Sequence, residues 1–237
     1  MNQEEKISRY HYLLFAICFL GTAFGGVVST LMSVYLPVAV KDLLGNQETD
    51  QLNNISAYIN AVFILGGAAG GFIAGIISDK AGRKKAVIFS IAVLGIFTLL
   101  TGYMPGWRAV VFCRLMSGFG LGAILVTTTT IMMEEWPRKS RAIFMGILSI
   151  SIPVGIFSAG VTDYFVSSWR QAFTMGLLPL VLAAAAVWLL KESADWQNNR
   201  KGTAEHPAGT SIFAAPHYQS WYNGRRICSK LRLPAAA

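Results

Sequence analysis

Charged side chains are scarce in this sequence. Asp, Glu, Lys and Arg make up 14% of its 237 residues, against about 25% in a typical soluble domain. There are three cysteines and three histidines, and their spacing fits neither a metal site nor a disulfide framework. These shortages exclude a disulfide-stabilised secreted domain, and we expect no metal, cofactor or prosthetic group. Apolar residues are abundant instead, at 54% of the chain.

The apolar residues form six long runs. A hydrocarbon core of about 30 Å requires roughly 20 apolar residues in a helix. The predicted spans are 12–36, 57–78, 86–104, 109–133, 142–164 and 171–190. Backbone groups find no water in lipid, so each span is predicted to be helical and the fold class to be all-α membrane protein. The first run is too long for a signal peptide, and no A-x-A-like cleavage site follows it.

Lys and Arg concentrate on one side of these spans. The basic residues on that side are Lys6, Arg9, Lys80, Arg83, Lys84, Lys85, Arg138, Lys139, Arg141 and Lys191. The positive-inside rule then places both termini in the cytoplasm. We predict a multi-pass protein of the bacterial inner (cell) membrane, in contact with lipid. Its net charge of +8 follows from topology and requires no nucleic-acid partner.

The last segment, 192–237, differs in composition from the six-helix part, 1–191. It contains three prolines and little hydrophobic periodicity, which predicts a disordered cytoplasmic tail. Two alternatives stay open. Its basic and aromatic residues suit lipid headgroups, and the segment is also compatible with a frameshifted, non-native end.

The most specific pattern lies between the second and third spans. It runs Gly75-Ile-Ile-Ser-Asp79-Lys80-Ala-Gly82-Arg83-Lys84-Lys85. Gly75 permits close helix packing, and Gly82 permits a tight turn. Asp79 stands at a helix C-terminus, where its charge opposes the helix dipole, so it requires a positive partner. A plain basic loop explains the cations but not the spacing of Gly and Asp.

At every defining position, this loop resembles the signature that the major facilitator superfamily of secondary transporters carries between its second and third helices. The resemblance covers about residues 12–196. It implies the N-terminal six-helix half of a twelve-helix transporter. It also implies that Asp79, Arg83 and Lys84 gate the change between inward-open and outward-open states by acting against the second half.

The fourth span contains Arg114, followed by Gly118, Gly120 and Gly122. An arginine inside a span is costly and is a functional-site hypothesis by default; the alternative is that it extends outward to the headgroups. The arrangement is similar to the family's helix-four pattern, which implies proton coupling or binding of an anionic substrate. Gly118 and Gly122 form a small-residue face for helix packing.

Two further patterns agree with the family. The loop after the fourth span, Glu135-x-Pro137-x-x-x-Arg141, is similar to that of the sugar and organic-acid branches. The second span carries Gly67, Gly71 and Gly75 at four-residue spacing, which permits another helix to approach closely. In the family, the corresponding helix faces a helix of the second half.

Polar residues inside the spans are candidates for solute contacts, because intramembrane polar groups often line a cavity. The candidates are Tyr35, Asn60 and the run that begins Thr127 and Thr128. Alternatively, the threonine hydroxyls bond to carbonyls of their own helix.

The resemblance implies secondary active transport of a small polar solute, a sugar or an organic anion, by proton-coupled alternating access. The alternatives are a truncated, non-transporting fragment or interaction partner, and a half-size transporter that works as a homodimer. An intramembrane protease is disfavoured, since Ser117 has no histidine in any predicted span to activate it. We therefore expect no enzyme activity.

Overall fold

The computed structural model describes residues 8–45, 49–166, 168–192 and 196. All regular structure in these residues is helical. The helices are α1 (Arg9–Leu44), α2 (Thr49–Ala81), α3 (Arg83–Tyr103), α4 (Trp107–Glu135), α5 (Arg141–Phe165), α6 (Trp169–Ala172), a 3-10 turn (Phe173–Gly176) and α7 (Leu177–Leu189). Of the predicted tail, positions 193–195 and 197–237 lie outside the described residues.

Six spans are long and apolar enough to cross a membrane, namely α1 to α5 and a sixth made of α6, the 3-10 turn and α7, which confirms the predicted all-α membrane fold. Three details differ from the prediction. The second helix begins at Thr49 and not near residue 57, because a helix can continue into polar residues beyond its apolar run. The first helix continues through Pro37 to Leu44, because neighbouring helices let membrane helices tolerate an interior proline. The sixth span, Trp169–Leu189, contains the 3-10 turn just before Pro179, whose missing N–H interrupts the α-helical bonding.

The helices run alternately up and down, so their ends meet at two faces. At the first face the start of α1 contacts the ends of α4 and α7, and the start of α3 contacts the end of α4. This end, which carries residues 75–85, is called the motif face. At the opposite face the end of α1 meets the start of α6. A cluster of buried apolar side chains fills the bundle near each face.

The closest helix contact joins α2 to α4. Alanine at Gly122 would place its Cβ against the carbonyl oxygen of Gly67, and at Gly118 against that of Phe63. The α2–α4 seam consists of Gly66, Gly67, Gly70 and Gly71 on α2 with Gly118 and Gly122 on α4. Backbones this close permit Cα–H···O contacts. Gly66 and Gly70 are buried in this seam, whereas the predicted stripe of Gly67, Gly71 and Gly75 stays partly exposed. The expected contact of that stripe with a helix of the second half therefore stays a prediction.

Candidate functional site

The loop on the motif face depends on Gly82. Its φ of 111° lies in a region that favours glycine. A Cβ at this position would also lie 2.6 Å from Oε2 of Glu192. The backbone conformation therefore requires glycine between α2 and α3, whereas the flexible Glu192 side chain can move to make room for a Cβ. Gly75 is less constrained, because the nearest atom to an added Cβ is Val126 Cγ1 at 3.9 Å.

Arg83, the first residue of α3, joins three helix ends. Its Nη1 pairs with Asp79 Oδ1 at 2.5 Å at the end of α2. Its Nε donates to both carboxylate oxygens of Glu134, at 2.9 and 3.1 Å, at the end of α4. The Arg83 side chain is only 13% exposed, so charge-assisted bonds there are stronger than on an open surface. Arg83 thereby supplies the positive partner that Asp79 requires.

Glu134 was not predicted from the sequence, where Glu135 was the candidate at this helix end. The backbone carbonyl of Glu135 instead bonds to the His11 ring at 3.1 Å. A sequence signal for Glu134 exists: it follows the buried Thr127 and Ile131 at the i, i+4, i+7 spacing of one helix face. Adjacent helix residues point in directions about 100° apart, so only one of the two carboxylates can share that face.

Residues at the end of the sixth span and just after it bind the same loop. The Lys84 backbone N–H donates to Glu192 Oε1 at 2.9 Å, so this carboxylate caps the start of α3, where negative charge is favoured. The Lys84 ammonium donates to the Val187 carbonyl at 2.8 Å. The Trp196 indole donates to the Asp79 carbonyl at 2.8 Å. Lys80 and Lys85, also predicted in this motif, are exposed.

The loop after α4 is held by its own residues. Arg141 donates twice to the Trp136 carbonyl, at 3.1 and 2.8 Å, and the Pro137 carbonyl accepts bonds from the backbone of Ser140 and Arg141. The Trp136 ring is fully buried and packs on Phe144 with centroids 4.1 Å apart. The predicted residues Pro137 and Arg141 therefore form a structural turn beside the Arg83 network.

Arg114 lies on the other half of α4 and is fully buried. None of its three guanidinium nitrogens has a hydrogen-bond partner among the described residues. Its guanidinium carbon lies 4.7 Å from the ring centroid of Phe173 and 5.9 Å from that of Phe63. It does not extend outward to the headgroups. A buried cation held by aromatic faces alone has strong unsatisfied capacity for an anion.

A cavity of about 140 Å³ with a mostly apolar surface and a few hydroxyls lies among α1, α4 and α5. Its polar lining residues are Thr22, Thr128, Thr129, Ser149 and Ser151. Thr22 and Ser151 also bond to each other across the α1–α5 contact at 2.5 Å. Among the predicted solute residues, Thr128 lines this cavity.

The other predicted solute residues lie apart from it. Tyr35 is buried near the Val166 carbonyl, at 3.5 Å, and Asn60 is half-buried on α2. Thr127 is buried and donates to the Ala123 carbonyl at 2.9 Å. Arg114 precedes Thr128 by about 21 Å of helix at 1.5 Å per residue. The structure therefore separates a cationic site near the opposite face from a hydroxyl site nearer the motif face.

The sequence model of the Major Facilitator Superfamily matches residues 13–228. Synaptic vesicle glycoprotein 2B of Rattus norvegicus is 29% identical over 201 residues, covering 78% of this chain and 29% of that protein. The 4-hydroxybenzoate transporter PcaK of Acinetobacter baylyi is 28% identical over 195 residues, covering 80% and 41%. The chain thus spans less than half the length of these relatives.

Among solved structures, the proton:xylose symporter XylE of E. coli has a similar fold, with a TM-score of 0.74. The similarity covers 81% of this chain and 47% of that one, at 17% sequence identity. At this identity the similarity concerns only the arrangement of the helices. The six helices of this chain match part of a longer helix bundle in that protein.

Proposed function

Because this chain belongs to the major facilitator superfamily, we propose that it forms one six-helix repeat of a secondary transporter working by alternating access. It is an integral, multi-pass membrane protein of a family of transporters. In this fold the solute site lies near the midplane between two six-helix repeats. A second repeat, either another copy of this chain or a different segment, completes the site in our proposal.

The proposed solute is a small organic anion. The observation that carries this proposal is Arg114, a fully buried guanidinium without a hydrogen-bond partner in the described part of the chain. A carboxylate is the group that its fork of N–H donors fits best. PcaK, named for 4-hydroxybenzoate, makes a hydroxylated aromatic acid the first candidate.

The expected result is uptake of 4-hydroxybenzoate by proteoliposomes that contain the full chain, stimulated by an inward proton gradient. Two matched compounds test the solute class: 4-hydroxybenzyl alcohol keeps the ring and phenol but lacks the carboxylate, and xylose is an uncharged sugar. If neither compound inhibits uptake of 4-hydroxybenzoate, the result supports an anion site. Uptake of xylose with no uptake of 4-hydroxybenzoate would reject the anion and favour the sugar alternative.

The same proteoliposomes test whether the second repeat is another copy of this chain or a different segment. Crosslinked dimers together with uptake support a homodimer. A chain that is monomeric and inactive alone, yet active when a second six-helix repeat is supplied, supports a half that needs a different partner. If it is inactive in both conditions, it is not a transporter half.

We assign the gate to Asp79 and Arg83, with Lys84 and Glu134 beside them. Asp79→Asn should reduce the initial uptake rate about tenfold, because Arg83 loses one of its two carboxylates. Its melting temperature should shift little, since exposed ion pairs contribute about 0–1 kcal/mol to stability and the Asp79 side chain is 68% exposed. Arg138→Gln is the control, an exposed charge on the same face. Unchanged uptake by Asp79→Asn would remove the gating role.

A further inference from the structure

A polar cluster on the opposite face joins the end of α1 to the start of the sixth span. Asp42 Oδ2 accepts from the Trp169 indole at 3.1 Å and from Arg170 Nη2 at 3.2 Å. Arg170 Nη1 also donates to the carbonyls of Gly102 and Met104, at 3.3 and 3.4 Å, at the end of α3. Asp42, Trp169 and Arg170 are called the opposite-face clamp. The clamp fixes where the sixth span begins relative to α1 and α3.

Phe173 lies next to the clamp in the sixth span. This residue opens the 3-10 turn, one turn after Trp169 and Arg170. Gly102 on α3 provides the room: an added Cβ would lie 2.9 Å from the Arg170 carbonyl oxygen and 3.1 Å from Phe173 Cβ. With its backbone held against α3, the fully buried Phe173 ring lies over the Arg114 guanidinium.

From this arrangement we propose that the opposite-face clamp holds the Phe173 ring over Arg114, and that an anion reaches Arg114 from the opposite face after the clamp opens. The inference rests on the proposed anion site and adds the residues that control entry to it. Asp42 and Arg170 act as positioning residues, because they reach Arg114 through Phe173.

The ion pair between Asp42 and Arg170 is weak enough for the clamp to open reversibly. The side chains of Arg170 and Asp42 are 42% and 51% exposed, and ion pairs at this exposure are weak and screened by salt. The ring that they position is fully buried, as is the guanidinium beneath it. A weak, solvent-exposed ion pair thus controls a strongly desolvated site.

The inference is tested by arginine modification. The full chain in detergent is treated with phenylglyoxal, and the modified fractions of Arg114 and Arg108 are measured by peptide mass spectrometry. Arg108 is an exposed internal reference on the same helix. The test variants are Asp42→Asn, which keeps an oxygen for the Trp169 indole, and Arg170→Gln. Lys41→Gln is the control, since Lys41 is the exposed neighbour of Asp42.

In the unaltered chain Arg114 should react far more slowly than Arg108. Both test variants should raise the Arg114-to-Arg108 ratio about threefold, the size of effect that a half-exposed ion pair sustains, while Lys41→Gln leaves it unchanged. Equal reactivity of the two arginines in the unaltered chain would overturn the inference. An unchanged ratio in both variants, with melting temperatures retained, would also overturn it.

Uptake separates this inference from the proposed function. A raised Arg114-to-Arg108 modification ratio without any anion uptake would reject the transport proposal and support the clamp. An unchanged ratio with normal anion uptake rejects the clamp and keeps the transport proposal.

Discussion

Arg114→Met should raise the melting temperature of this chain and weaken its binding of organic anions. Methionine matches the length of the arginine stem and brings no charge. A buried guanidinium without hydrogen bonds is costly, and its aromatic contacts recover about 2 kcal/mol, so replacing it with an apolar side chain should gain roughly 1 kcal/mol. That gain corresponds to roughly 2–4 °C. Stability and binding thus change in opposite directions, as expected when a residue is kept for function at a cost in stability.

Ligand-induced thermal stabilisation measures the binding, because a ligand that binds the native state raises its melting temperature. Hydrogen bonds to a charged group contribute about 1.5–3 kcal/mol, so affinity for 4-hydroxybenzoate should fall roughly 10- to 150-fold. Arg108→Met is the control, since Arg108 is exposed near the start of the same helix. A lower melting temperature together with unchanged stabilisation by 4-hydroxybenzoate would show that Arg114 is structural.

Gly122→Ala should destabilise the bundle. The added Cβ meets the Gly67 carbonyl oxygen, which belongs to the backbone of a long helix and has no rotamer with which to move away. Alanine is the better helix former by about 1 kcal/mol, but overpacking costs about 1–3 kcal/mol, and separating α2 from α4 also disturbs the rest of the seam. We expect a melting temperature lower by roughly 2–4 °C for each kcal/mol lost.

Gly146→Ala is the matched control for that substitution. Gly146 lies in the interior of α5, and no atom lies within 4 Å of an added Cβ. The helix preference of alanine then acts alone, and the melting temperature should rise slightly. Equal effects at the two positions would show that α2 and α4 are not in backbone contact at Gly122.

The sequence predicted the parts of this structure that depend on local chemistry. Span length, the positive partner that Asp79 needs and the turn at Gly82 follow from a few neighbouring residues. The pairing of Arg83 with Glu134 does not, because it joins residues 51 positions apart. The α2–α4 seam likewise depends on which helices become neighbours, and a glycine stripe is compatible with several partners.

The candidate solute residues also show that contacts set by helix packing could not be predicted from the sequence. Arg114 was recognised as a candidate because its charge lies inside an apolar run, but Phe173 gave no signal among many apolar residues. Thr127 and Thr128 are adjacent and chemically alike, yet only Thr128 lines the cavity. Which of two neighbouring side chains faces a cavity is decided by packing against α1 and α5.

The hydroxyl protons around the cavity are donated away from it, to helix carbonyls. Thr128, Thr129 and Ser149 each give their proton to a carbonyl of their own helix, at 2.6, 2.8 and 3.1 Å. Thr22 and Ser151 share their protons between such carbonyls and each other. The polar part of this mostly apolar cavity wall therefore presents oxygen lone pairs, which are hydrogen-bond acceptors. A ligand with O–H or N–H groups can donate directly to these acceptors. A ligand with acceptors alone must first displace a hydroxyl from its hydrogen bond to a carbonyl of its own helix.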